Sequence, residues 1–154
     1  MKLTGFCCIV LLLIATGCST NAVYEKMAFF PAQEWISGRP ESFKFEITDT
    51  ASSYRLYLVL RHTDAYRWKN IWINLGFRTP DSSYTVRREF TLADNEKWFG
   101  TTMDDIVEQR IPFTPNNAPV QLKKGSYTFT LQHVMREDPL QHVLNAGVRV
   151  EKVK

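Results

Sequence analysis

Residues 54–61 read Tyr-Arg-Leu-Tyr-Leu-Val-Leu-Arg, and this stretch decides the fold. Every second position from Tyr54 onward carries tyrosine or leucine, whereas both arginines fall on the alternate positions. Successive side chains of a β-strand point to opposite faces, so a period of two is typical of a strand with one buried face. The stretch therefore predicts a strand of a β-sheet that covers an apolar core.

The same period of two recurs along the chain. We predict further strands at residues 43–47, 71–77, 84–92, 127–135 and 146–153. Within 84–92 the apolar residues share one parity, and Arg88 is the exception. Residues 23–30 and 106–113 are further candidates: Pro31 ends the first of them, and Pro112 requires an edge strand or a strand terminus in the second.

Turn-forming residues separate these segments, at 49–52, 79–82, 115–117 and 123–125. Seven or eight short strands with turns between them, and no sustained helical stripe, predict an all-β chain. We expect a single β-sandwich domain, of which a jelly roll is one version; the strand order is left open. Leu140, Val143 and Leu144 are expected to form one short helical turn that caps the end of the sandwich.

The beginning of the chain has the pattern of a bacterial lipoprotein signal peptide. A positive start is followed by an apolar run at 6–14 and by Ala15-Thr16-Gly17 directly before Cys18. We therefore predict lipidation of the Cys18 thiol, where acyl chains contribute about 0.8 kcal/mol of membrane binding per buried methylene. The predicted segments are a type II signal peptide at 1–17, the lipidated cysteine and a short tether at 18–21, and the domain at 22–154.

Charge and cysteine content exclude several classes of function. The 19 basic and 16 acidic residues are spread along the chain, so they form no basic stripe for nucleic acid. Cys7 and Cys8 would leave with the signal peptide and Cys18 would be alkylated, so the domain is expected to have neither a disulfide nor a thiolate zinc site. We predict no metal and no cofactor.

Motifs of catalysis are also missing from the sequence. There is no Gly-x-Ser-x-Gly elbow, no glycine-rich phosphate loop and no free thiol after cleavage, so we predict that the protein is not an enzyme and expect no small-molecule substrate. A hydrolase with an unrecognised carboxylate pair is a remote alternative. Asp104, Asp105 and Glu108 are the densest acidic group, which is either a calcium site or a solvated loop.

Histidines and aromatic residues give the remaining candidates. His133 falls on the apolar face of a strand and is expected in the core or at an interface, whereas His62 ends a strand and is expected to face solvent. Tyr66 and Trp68 lie in a polar stretch between strands, which favours their exposure. Together with Trp98 they are either a stacking platform for sugar rings or ordinary packing residues of an all-β domain.

Three stretches together resemble the gliding-motility lipoprotein GldH family. The first is 60–75, with Leu-Arg-His-Thr at 60–63 and Asn-Ile-Trp at 70–72; the second is 92–113, with Trp98, Gly100 and Ile-Pro at 111–112. The third joins Met-Arg-Glu-Asp-Pro-Leu at 135–140 to Gly-Val-Arg-Val-Glu-Lys at 147–152. Thr102 and Asp104 stand where family members often have glycine, so we expect a less extreme backbone there.

The resemblance implies an envelope lipoprotein of a Bacteroidetes-type bacterium that is associated with gliding or with a related envelope assembly. It implies no catalytic residues and assigns a role to Cys18 alone. We expect protein–protein contacts with other envelope proteins, and Arg136 is a further candidate contact. The alternative is a glycan-binding lipoprotein that uses Tyr66, Trp68 or Trp98. In the phylum that the resemblance implies, surface export favours an acidic cluster shortly after the lipidated cysteine. Residues 19–24 carry none, so we expect an outer-membrane location facing the periplasm.

Overall fold

The computed structural model describes residues 21–153, so the predicted signal peptide and Cys18 lie outside the described residues. Short strands make up most of this region, with one-turn 3-10 segments at Pro31–Gln33 and Pro115–Asn117. The strands are β1 (Ala22–Phe29), β2 (Glu34–Trp35), β3 (Glu41–Ile47), β4 (Ser53–Thr63), β5 (Asn70–Arg78), β6 (Ser83–Thr91), β7 (Thr101–Met103), β8 (Ile106–Pro112), β9 (Val120–Gln121), β10 (Gly125–His133), β11 (Leu140–Gln141) and β12 (Val143–Val153). The predicted all-β class is confirmed.

Two antiparallel sheets face each other across one core. The larger sheet has the order β1-β12-β4-β8-β7, and β9 pairs with the first residues of β4. The smaller sheet has the order β3-β10-β5-β6, and β2 with β11 forms a separate two-stranded ribbon. Neighbours in these sheets are often far apart in the chain, which is why the strand order does not follow from local sequence pattern.

The alternation in β4 produces the buried layer of the larger sheet. Leu58 pairs with Val148 of β12 and with Ile111 of β8, so one apolar row crosses three strands. The smaller sheet adds aromatic rings to the same core: Phe129 of β10 lies edge-on to Phe113, with ring centroids 5.7 Å apart. Burial of these side chains from both sheets supplies the main driving force for folding.

Strand β1 joins the edge of the larger sheet through β12. Tyr24 lies opposite Val150, and its ring packs 5.1 Å from Phe45 of the facing sheet. On the outer face of the larger sheet, the guanidinium of Arg149 binds the carboxylates of Glu25 and Glu151. The first strand of the domain is therefore fixed by its last strand.

The predicted helical turn at Leu140–Leu144 is wrong. Leu140 begins the two-residue strand that pairs with Trp35, and Val143 already belongs to β12. His142 between them has φ of 67°, a left-handed conformation that interrupts helical geometry. Leu140 and Val143 are both fully buried, so they reach the core from strands and not from a helical cap.

One end of the sandwich carries the start of β1, the end of β12 and the β5–β6 turn. Ala22, where β1 starts, pairs with Glu151, and the backbone N–H of Lys152 donates to Asn21 at this end. The Lys152 ammonium also forms an ion pair with Asp49, two residues beyond β3, so β3 ends at this end of the sandwich. Ile47 pairs with Gly125 of β10, and Arg78 pairs with Thr128, which places the β5–β6 turn there as well. Within residues 21–153, no helix is long and apolar enough to cross a membrane.

Candidate functional site

Tyr66 is a packing residue, which corrects the predicted exposure. Its side chain is 3% exposed, and its hydroxyl donates to the carbonyl oxygen of Asn70 at 3.1 Å. Burial raises the pKa of the Tyr66 phenol well above its usual range. Trp98 lies half-buried beside it, with ring centroids 6.2 Å apart and planes tilted by 55°, so the two rings do not form a flat platform.

His62 lies in the same cluster, and the prediction that it faces solvent is wrong. Its Nδ1 donates to the carbonyl oxygen of Thr63 at 2.7 Å, and its Nε2 accepts from the Gln109 amide at 3.0 Å. The ring meets Trp98 edge-on at 4.5 Å. Burial lowers the pKa of His62, so the neutral imidazole is the form that this cluster holds.

Trp68 is exposed, as predicted. The side chain is 37% exposed, and its indole Nε1 donates to the Glu137 carboxylate at 2.9 Å. Arg136, in the same loop as Glu137, is also exposed and forms no ion pair with a residue in 21–153. The four predicted contact residues therefore divide into two buried or half-buried rings and two surface residues, and do not assemble one aromatic surface.

His133 occupies the core, as predicted from its position on the apolar face of a strand. Its Nε2 donates to the carbonyl oxygen of Trp35 at 2.9 Å, and the indole ring lies edge-on at 5.2 Å. Burial lowers the pKa of His133 although the Asp138 carboxylate, 3.6 Å from Nε2, opposes that shift. The histidine thus joins β10 to the short strand β2.

The acidic group does not assemble a metal site within the described part of the chain. Glu108 is held by two arginines, with Arg61 at 2.6 Å and Arg110 at 2.9 Å. No group of three or more His, Cys, Asp or Glu side chains suited to a metal ion occurs in residues 21–153. Asp104 adopts φ of 54°, so the expectation of a less extreme backbone there is wrong; aspartate tolerates this conformation in the turn between β7 and β8.

Strand β6 provides the most distinctive surface. Tyr84 and Val86 lie opposite Phe77 and Leu75 of β5 and share the inward parity of the buried Phe90. They are nevertheless 52% and 36% exposed. Strand β8 ends at Pro112, and residues 113–122, which contain a 3-10 turn and the two-residue strand β9, line the other side of the space in front of this part of β6.

The uncovered part of β6 opens onto an apolar groove of about 570 Å³. Arg88 is the single charged side chain among the residues that line it, and its guanidinium donates to the carbonyl oxygen of Phe113 at 2.7 Å. This hydrogen bond links β6 of the smaller sheet to the residue that follows β8 of the larger sheet. The lining residues are Leu56, Phe77, Thr79, Tyr84, Val86, Arg88, Phe113, Thr114, Pro115, Val120, Leu122, Tyr127 and Phe129.

Two other hollows are less suited to a partner. One of about 710 Å³ beside β7 contains Arg61, Glu108 and Arg110, whose charges are already paired with one another. Another of about 380 Å³ on the outer face of the smaller sheet is a polar surface over Gly76. An exposed apolar surface with a polar rim is the usual mark of a protein contact, so the β6 groove is the candidate site.

Comparison with known families decides where this chain belongs. A family model described as GldH lipoprotein matches residues 22–150. The chain belongs to the GldH lipoprotein family. The resemblance predicted from the three motif stretches is confirmed, and the matched region contains the whole of the β6 groove.

One curated relative and two solved structures complete the comparison. The gliding motility lipoprotein GldH homolog of Christiangramia forsetii is 23% identical over 158 residues, covering 96% of this chain and 94% of the relative. The infectious bursal disease virus VP2 subviral particle aligns with 87% of this chain at 13% identity and a TM-score of 0.36. Dimeric latent PorU from Porphyromonas gingivalis aligns with 88% of this chain at 10% identity and a TM-score of 0.35. This chain spans 31% and 14% of those two chains.

Membership of the GldH family has direct consequences. The protein is a lipid-anchored lipoprotein of the cell envelope, associated with gliding motility. The GldH family is not a known enzyme family.

The groove residues Tyr84 and Val86 were not predicted as site residues. The one sequence signal for them was Arg88, a charged residue on the otherwise apolar face of the strand, because an inward-pointing charge is typical of an edge strand.

Proposed function

We propose that this GldH lipoprotein is a non-enzymatic component of the gliding machinery, or of a related envelope assembly, and acts by binding another envelope protein at the membrane. The observation that carries this proposal is the exposure of Tyr84 and Val86 in a groove that faces the interior of the sandwich. A partner that covers these inward-facing apolar side chains removes their surface from water, and this burial favours binding.

The lipid anchor is proposed at Cys18, with the domain at the periplasmic face of the outer membrane. Three residues separate Cys18 from β1, and an extended chain spans about 3.3 Å per residue. The four residue steps from Cys18 to Ala22 then span about 13 Å, so the domain would stay close to the bilayer surface, with the end that carries the β5–β6 turn closest to it. A partner confined to the same membrane would meet the groove at a high effective concentration.

Site-specific photocrosslinking in intact cells tests the protein contact. A benzoylphenylalanine residue at Val86 places the reactive group in the groove. The same residue at Lys44, an exposed position of β3 at the opposite edge of the same sheet, serves as the matched control. We expect a crosslink to an envelope protein from position 86 at a yield at least tenfold above position 44. The same cells carrying V86D should lose that partner and show a motility or envelope defect.

Two results would contradict the proposal. Equal crosslinking from positions 44 and 86 would mean that the groove is not the contact surface. Recovery of polysaccharide alone, with no envelope protein above background, would favour the glycan-binding alternative.

A further inference from the structure

Strand β6 has one free edge. It pairs with β5 along its whole length, from Ser83 opposite Arg78 to Thr91 opposite Asn70. No strand of residues 21–153 pairs with its other edge. Alternate residues of an antiparallel edge strand point their N–H and C=O groups outwards, and these groups are ready to pair with an added strand.

Protection of this edge is uneven. Charged residues on an edge strand prevent unwanted pairing, and β6 carries three of them, at 87–89. The first half, Ser83-Tyr84-Thr85-Val86, carries no charge and consists mainly of residues that favour strands. The unprotected half is also the half that opens onto the groove, so a free backbone edge and an apolar surface coincide.

Arg88 indicates the charge of the occupant. Its guanidinium has five N–H donors and gives one hydrogen bond to the carbonyl oxygen of Phe113, which also lines the groove. A carboxylate is the group that best matches the remaining donors. A second copy of β6 could not supply it, because Glu89 lies on the outer face, where it accepts a hydrogen bond from Asn70.

We propose that β6 accepts an extended strand from another envelope protein. That strand has apolar residues at alternate positions, which fill the groove beside Tyr84 and Val86, and a carboxylate that meets Arg88. Backbone hydrogen bonds to the free edge supply affinity, while the groove supplies the selection of side chains. This proposal rests on the protein contact proposed above and specifies its form.

Proline substitution separates strand pairing from side-chain docking. The N–H of Leu92 donates to Lys69, so by alternation the N–H of Val86 faces β5 and the N–H of Thr85 faces the free edge. T85P is therefore the edge variant, whereas V86P removes an N–H that β5 needs. The melting temperature of T85P should stay within a few degrees of the wild type. In full-length protein in intact cells, with benzoylphenylalanine at Tyr84, we expect the edge variant to reduce the partner crosslink at least tenfold.

The remaining outcomes decide between the two proposals. Retained crosslinking in the edge-proline variant, together with loss in V86D, would overturn strand addition and leave the protein contact intact. Loss in neither variant would contradict both. A crosslinked product with twice the mass of this lipoprotein would show a second copy in the groove and overturn the proposed occupant.

Hydrogen exchange decides the case in which both proline variants unfold. In the crosslinked, detergent-solubilised complex, strand addition requires the outward amides of residues 83–86 to exchange at least tenfold more slowly than in the free lipoprotein. Unchanged exchange would overturn the proposal.

Substitution of Arg88 tests the proposed carboxylate contact. R88Q should lower the crosslink yield in cells, whereas R88K, which keeps the charge, should retain more of that yield.

Discussion

Gly147 of β12 lies so close to Met27 of β1 that a Cβ atom added to Gly147 would stand 2.7 Å from the Met27 Cα. The two residues are paired in the sheet register, so this close approach occurs where the first strand joins the last one. Glycine is required there by the proximity of the neighbouring backbone.

Substitution of this glycine is expected to weaken the attachment of β1. G147A should lower the free energy of unfolding by about 2–3 kcal/mol, because the methyl group can be accommodated only by moving β1. Chemical denaturation of the two proteins measures the difference. G38A is the matched control, since no atom lies within 4 Å of the added Cβ at that exposed position; equal stability of the two variants would contradict the explanation.

The aromatic cluster leads to a second prediction. Y66A should cost about 3 kcal/mol of unfolding free energy because it removes a buried ring beside His62 and Trp98. Y66F removes only the hydroxyl that binds Asn70 and should cost about 1 kcal/mol. W68A, at an exposed position, should cost no more than Y66F. A larger loss from W68A than from Y66A would contradict the packing role of Tyr66.

The pH dependence of stability should reflect the two buried histidines. Burial lowers the pKa of His62 and of His133 in the folded state, whereas an unfolded imidazole titrates near pH 6.5. The unfolded chain therefore binds more protons below pH 6.5. The stabilisation that the two neutral histidines contribute is complete above about pH 6.5 and is lost as the pH falls through their lower pKa values in the folded state.

Denaturation between pH 7 and pH 5 measures this effect. Carboxylates such as Asp138, whose pKa is lowered by hydrogen bonds from Ser37, lose their contribution only at lower pH, so they do not interfere in this window. We expect the unfolding free energy to fall between pH 7 and pH 5 in the wild type and to change much less in the double variant H62Q/H133Q. A flat wild-type profile would contradict the prediction.

Arg149 provides the fourth prediction. Its guanidinium is nearly buried and binds Glu25 of β1 and Glu151 of β12, so R149M should cost about 2 kcal/mol by leaving two carboxylates without their partner. K123Q is the control: it removes an exposed ion pair with Asp81 and should change stability by less than about 0.5 kcal/mol. A similar loss of unfolding free energy in R149M and K123Q would contradict the explanation that burial makes the Arg149 ion pairs more stabilising than an exposed pair.

Lipidation of Cys18 can be tested independently of the domain. Labelled palmitate should enter the wild-type protein, and C18A should abolish the label and move the protein from the membrane fraction to the soluble fraction. C7A and C8A are matched controls, since both cysteines lie within the predicted signal peptide and should leave labelling unchanged. Labelling of C18A would contradict the assignment of the anchor.

The sequence predicted those features that depend on neighbouring residues. The alternation in 54–61 identified β4 and its buried face, and Pro112 correctly marked the end of β8. The apolar parity of 84–92 identified β6 and the direction of its side chains. Period-two patterning is a local property, so these elements could be read without knowledge of the strand order.

The features that it missed depend on distant parts of the chain. His62 ends an arginine-containing strand, but Gln109 of β8 covers it and fixes the neutral ring. Tyr66 lies in a polar stretch, yet the 92–98 segment folds over it. Likewise, Tyr84 and Val86 face a groove whose other side is formed by residues 113–122, which no periodicity within β6 could indicate.

The pairing of β1 with β12 has a consequence for biogenesis. Strand β1 finds its sheet neighbour only after β12 has been synthesised, and contacts of such long sequence separation form slowly. A nascent chain that lacks β12 therefore has an incomplete larger sheet and can still pass through a channel in extended form. That delay suits a secretory precursor, which must cross a translocation channel before it acquires tertiary structure.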